Sequence, residues 1–146
     1  MHLRFADDFL GDPRVSREAL IDALNRAERA RSHAYAPYSH FHVGAALVLD
    51  DGEIVEGCNV ENASFGLSIC AERTAATRAV AEGRRNFRAI AIAGPREAQT
   101  APCGACRQFL SEFDPSLVVA YTTPEGAVVT SLDRLLPHSF GPKSLV

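Results

Sequence analysis

The chain has no tryptophan, no surplus of basic over acidic residues and few cysteines, and each shortage removes a class of function. With 15 Lys and Arg against 18 Asp and Glu, the net charge is −3, so there is no excess positive charge to displace counterions from a nucleic-acid backbone. The missing tryptophan further weakens any case for a single-strand groove built on stacking rings, and no nucleic-acid partner is expected. The nearest basic cluster, Arg84-Arg85 with Arg88, is short and suits a solvated corner. No apolar run approaches the roughly 20 residues that span a bilayer, so no membrane partner is expected. Residues 1–12 interleave His2, Arg4, Asp7 and Asp8 with Phe5, Phe9 and Leu10, unlike the apolar stretch of a signal peptide. Four cysteines, three of them in metal spacing, fit a reduced compartment better than a disulfide framework, and the expected location is the cytoplasm.

What is present reads as one ordinary globular unit. The 146 residues are 47% apolar and show no repeat, low-complexity tract or separating linker, which predicts a single domain over 1–146, with residues 1–15 an extension of unclear role. Ser16 is placed to cap a helix over 16–32, where Leu20, Ile21, Leu24 and Ala27 repeat at helical spacing, and Pro37 lies beyond its end. Strands over 41–49 and 53–58 flank the turn Asp50-Asp51-Gly52. A helix over 70–82 stops at Gly83, a strand follows over 87–93, and a second helix covers 103–113. Strands over 117–122 and 127–130 flank Pro124-Glu125-Gly126, and a short helix includes 132–136. The order α, β, β, α, β, α, β, β predicts an α/β fold, a mixed sheet with helices on its faces.

Within that order, Cys70-Ala71-Glu72 and Pro102-Cys103-Gly104-Ala105-Cys106 carry the chemistry. Helices that follow same-direction strands start at one edge of the sheet, so Cys70 and the Cys103/Cys106 pair meet there despite their separation in sequence. Both groups then lie at helix N-termini, where exposed N–H groups and the dipole favour thiolates. Three thiolates leave a fourth zinc position free for water, and Glu72, two residues from a ligand, is placed to move protons there as the catalytic acid and base. Arg73 could donate hydrogen bonds to the sulfurs and offset the charge of three thiolates on one zinc, or serve merely as a surface ion pair. A redox Cys-x-x-Cys pair or a structural zinc site is the plainer alternative for the cysteines, and neither accounts for Cys-Ala-Glu. Cys58 lacks a partner at metal spacing and reads as a small buried hydrophobe, and His33, His40 and His42 stay outside the metal set.

With these residues in place, the chain resembles the small zinc-dependent cytidine deaminases of nucleoside salvage. The resemblance runs in order from Tyr38-Ser39-His40-Phe41-His42-Val43-Gly44-Ala45-Ala46 through Gly57-Cys58-Asn59-Val60-Glu61-Asn62, Cys70-Ala71-Glu72-Arg73 and Pro102-Cys103-Gly104-Ala105-Cys106-Arg107-Gln108 to Leu135-Leu136-Pro137-His138-Ser139-Phe140-Gly141-Pro142. It implies a three-layer α/β/α sandwich around a mixed, mainly five-stranded sheet, one zinc ion per chain, and hydrolysis of cytidine and 2′-deoxycytidine to uridine and 2′-deoxyuridine with release of ammonia. Zinc would lower the pKa of a bound water, the resulting hydroxide would attack C4, and Glu72 would carry protons to N3 and to the leaving amine. The resemblance also implies that Asn59 and Glu61 bond the ribose, Phe41 packs against the nucleoside, and Ala71 backbone with Glu72 holds the pyrimidine edge. Phe140 would close the site of a neighbouring subunit in a homotetramer with shared pockets. Phe65 departs from the tyrosine that members of this family often carry. Other aminopyrimidine deaminases, such as the blasticidin S class, share the zinc motif, and a zinc-stabilised binding protein without turnover would need no proton carrier at position 72.

Overall fold

The computed structural model describes residues 1–145. Its single mixed sheet has six strands in the order β1-β6-β5-β4-β2-β3, formed by β1 (Leu3–Phe5), β2 (Gly44–Leu49), β3 (Ile54–Cys58), β4 (Phe87–Ala93), β5 (Val118–Thr123) and β6 (Gly126–Ser131). Four α-helices accompany them: α1 (Arg17–Ala30), α2 (Ala71–Ala81), α3 (Gly104–Ser111) and the short α4 (Leu132–Leu135). The sheet thus has one strand more than the five expected. The sixth comes from residues 1–15, where Leu3–Phe5 pairs parallel to β6 with Leu3 opposite Ala127. Three residues are too few to show an alternation, and only Leu3 among them is buried.

Each sheet face buries its own set of side chains, as a period of two dictates. On β2, Ala46 and Val48 face α1 together with Ala89, Ala91 and Ala93 of β4 and Leu20, Ala23, Leu24 and Ala27 of the helix. Ala45, Leu47 and Leu49 face the other way, with Ile90, Ile92 and the alanines Ala71, Ala75, Ala76 and Ala79 of α2. Small residues let the helices lie close. A Cβ at Gly44 would stand 2.0 Å from the Ala27 carbonyl oxygen, and one at Gly57 would stand 2.5 Å from the Ala75 nitrogen.

Local signals set the helix ends. The Ser16 hydroxyl accepts the Ala19 N–H at 3.1 Å and starts α1. Gly83, at φ 84°, ends the turn after α2 in a left-handed conformation that disfavours other residues. Because β2 runs antiparallel to both β3 and β4, and β5 parallel to β4, strands β3, β4 and β5 point the same way. Helices α2 and α3, which follow β3 and β4, therefore both begin at one sheet edge.

Candidate active site

Cys70 is the N-cap of α2 and Cys103 the N-cap of α3, both in extended backbone geometry, while Cys106 sits within the first turn of α3. The Cys70 and Cys103 sulfurs are 3.8 Å apart, and all three sulfurs lie within 4.8 Å of one another. Tetrahedral zinc with sulfur at about 2.3 Å sets ligand sulfurs roughly 3.8 Å apart, so the arrangement fits that ion. Among the described residues, no other group of three His, Cys, Asp or Glu side chains is close enough to share a metal. Cys58 stands apart and only half-buried, less enclosed than expected of a core residue, and burial raises its pKa. His42 turns Nδ1 toward the His40 carbonyl at 3.1 Å, away from metal ligation.

The sulfurs are electrostatically matched. Arg73 Nη2 donates to Cys70 Sγ at 3.4 Å, and the Cys106 backbone N–H points at Cys103 Sγ at 3.5 Å. The Cys70 pKa falls to about 5, chiefly through the hydrogen bond from Cys106, with Arg73 and Cys103 adding to it. Cys106 moves upward because it is the partner that keeps the proton, and because it is buried beside Glu72. The Arg73 guanidinium is held firmly protonated by both sulfurs. Glu72, only 4% exposed, has its pKa raised to about 7, first by burial and then by the negative Cys70.

A cavity of about 350 Å³ opens onto this cluster, and Cys70, Ala71, Glu72 and Cys103 line it. Phe41, Asn59 and Glu61 also line it, as do Ser39, Thr100 and Ala101. Clefts of about 410 and 400 Å³ elsewhere contain none of the three clustered cysteines, so chemistry rather than volume singles this one out. The fold thus gathers Phe41, Asn59, Glu61, Cys70, Ala71, Glu72 and Cys103 around one space, with Cys106 and Arg73 beside the sulfurs. Phe140 is not on the cavity wall; the residue is 59% exposed and its carbonyl accepts from Gln108 Nε2 at 2.8 Å. Neither Ser39 nor Thr100 is marked by any ligand-spacing motif in the sequence. Ser39 bonds to Glu61, distant in the chain, which no spacing rule reveals, and the Thr100 hydroxyl is buried without a partner among the described residues.

Comparison with known proteins agrees with this geometry. A family model described as "Cytidine and deoxycytidylate deaminase zinc-binding region" matches residues 17–122. A cytidine deaminase of Halalkalibacterium halodurans is 49% identical over 128 residues, covering 86% of this chain and 95% of that protein. One from Sporosarcina psychrophila is 45% identical over 124 residues, covering 84% and 91%. The crystal structure of cytidine deaminase from Burkholderia pseudomallei superposes with a TM-score of 0.78 at 50% identity, over 86% of this chain and all of that one. With its three-sulfur cluster able to hold a metal ion and its match across the zinc-binding region, the chain belongs to the cytidine deaminase family of zinc-dependent enzymes.

Proposed function

We propose that the protein hydrolyses cytidine and 2′-deoxycytidine to uridine and 2′-deoxyuridine in pyrimidine salvage, with Glu72 as proton carrier. The observation that carries this reading is a buried carboxyl on the cavity wall, two residues from a metal-ligating sulfur, whose pKa of about 7 lets it hold or release a proton at neutral pH. Cys70, Cys103 and Cys106 would hold zinc, which when bound would lower the pKa of a water molecule in the cavity. Glu72 takes a proton from that water and delivers it to pyrimidine N3 as the C4–O bond forms. Glu72 then takes the proton of the new C4 hydroxyl and passes it to the exocyclic amine, the C4–N bond breaks as the C4 carbonyl forms, and ammonia leaves, so that one water is consumed for each ammonia released.

Substrate positioning is assigned to Phe41 against the base, to Asn59 and Glu61 at the sugar, and to the Ala71 backbone with Glu72 at the pyrimidine edge. Arg73 steadies the thiolates from behind. Phe140 serves the cavity of a second copy in a homotetramer, a role supported by its outward exposure and its absence from its own chain's cavity wall. An apolar surface of Tyr35, Tyr38, Phe65, Leu67 and Ile69, with the Tyr38 and Phe65 rings edge to face at 5.7 Å, is suited to burial between copies. No helix among the described residues is long and apolar enough to cross a membrane. A cytoplasmic location is supported by a ligand set that must stay reduced. Glu72→Gln is the test: the variant is expected to keep one zinc per chain and lose turnover, and normal turnover would overturn the assignment.

A further inference from the structure

The sugar end of the cavity is held together by side chains whose bonding capacity is already largely in use. Glu61 Oε1 accepts the Tyr38 N–H at 3.0 Å and the Ser39 N–H at 3.2 Å, and Oε2 accepts the Ser39 hydroxyl. A carboxylate offers about four lone-pair sites, so one remains free at Glu61. Ser39 Oγ, having given its only proton to Glu61, accepts the Phe41 N–H at 3.0 Å. Asn59 completes the frame, taking the Val43 N–H on Oδ1 at 2.9 Å and giving Nδ2 to the Phe41 carbonyl at 2.7 Å. These bonds tie residues 38–43 to residues 59–61 at the cavity before any ligand arrives. The Ser39 hydroxyl is also the largest single influence holding Glu61 below the usual carboxylate range.

We propose that Ser39 is a positioning residue for nucleoside binding: its hydroxyl aims the one unused acceptor site of Glu61 into the cavity and, through the Phe41 N–H, sets the Phe41 ring on the same wall. This rests on the reading of Glu61 as a sugar contact. Without the hydroxyl, Glu61 keeps its two amide bonds at Oε1, but Oε2 loses its partner and turns to water, and the Phe41 amide loses its acceptor. Ser39 forms no hydrogen bond to Glu72 or to the sulfurs, so the damage falls on binding and spares the proton transfers. Because residue 39 is exposed in the free chain, substitution there does not open a core cavity. Threonine retains the hydroxyl and serves as the conservative rescue.

The test compares Ser39→Ala, Ser39→Thr, Glu61→Ala and the double variant Ser39→Ala/Glu61→Ala, reading zinc content, kcat and KM for cytidine, and the inhibition constant of uridine, which reports binding without turnover. Ser39→Ala is expected to raise KM and weaken uridine by about fivefold, the loss of one hydrogen bond, with kcat and zinc unchanged. Ser39→Thr should restore both constants, and the double variant should be no worse than Glu61→Ala alone. If Glu61→Ala leaves KM and uridine binding unaltered, the sugar role of Glu61 falls and the role of Ser39 falls with it. If Glu61→Ala weakens binding while Ser39→Ala does not, or the two effects add, the proposal for Ser39 is overturned and Glu61 keeps its role. Loss of zinc or kcat in Ser39→Ala, or failure of threonine to rescue, assigns residue 39 a merely structural part and equally overturns it.

Discussion

Replacing Gly57 by alanine is expected to displace the helix that carries Glu72. The added Cβ would lie 2.5 Å from the Ala75 nitrogen, 2.7 Å from the Ala71 carbonyl oxygen and 2.9 Å from Ala75 Cα, all backbone atoms of α2, where ordinary contact begins near 3.4 Å. A side chain could swing aside, but a helix backbone must move as a body, here by about 1 Å. That displacement is the scale at which a misplaced catalytic group costs on the order of 100-fold in rate. The overpacking itself destabilises by about 1–3 kcal/mol. Gly44→Ala is the control, because its Cβ would strike the Ala27 carbonyl oxygen and the Arg31 nitrogen, at 2.0 and 2.8 Å, around the end of α1 on the other face of the sheet. Thermal unfolding, zinc per chain and kcat/KM of the folded protein would be measured for both. Both variants should lose stability, while the large loss of kcat/KM should be confined to Gly57→Ala. Equal losses of activity, or a Gly57→Ala enzyme that is destabilised yet fully active, would refute the reasoning.

Cys103→Ala should lose zinc and turnover together, since two sulfurs no longer enclose the ion, and metal analysis beside the activity assay checks this. In the metal-free protein, Glu72 is raised from its ordinary 4.5 to about 7, so its contribution to stability is fully present below pH 4.5 and is lost as pH rises through 7. The stability of the metal-free native chain relative to Glu72→Gln should therefore fall by about 3 kcal/mol across that interval in denaturant titrations, and a flat difference would contradict the burial argument. Removing residues 1–15 should leave the zinc cluster intact, cost about 1.5–3 kcal/mol for the buried Leu3, and expose the β6 edge to self-association, which light scattering would detect.

Where a local rule determined the structure, the sequence was readable. Ser16, Gly83 and the Asp51-Gly52 turn mark element boundaries with their own side chains or backbone freedom, and the 87–93 strand is found as expected. The meeting of the three cysteines was legible because ligand spacing at two helix starts converts directly into geometry once both helices open at one edge. The second strand begins at Gly44 rather than at residue 41, because the Asn59 side chain takes the Val43 N–H and Phe41 carbonyl that a longer ladder would have used. Such a substitution of side chain for strand is invisible to periodicity. The N-terminal strand escaped for a similar reason, since its signal lies in a partner, β6, near the other end of the chain. Ser39 is a third case, its purpose residing in Glu61, to which only the folded loop brings it close.

The most direct measurement is turnover itself: purified protein of known zinc content, incubated with cytidine, with loss of the cytosine absorbance followed beside ammonia release. One ammonia is expected for each cytidine consumed, with a zinc content near one per chain and loss of the signal in Glu72→Gln. Zinc bound at one per chain with no ammonia released from either cytidine or 2′-deoxycytidine would contradict the proposed deamination.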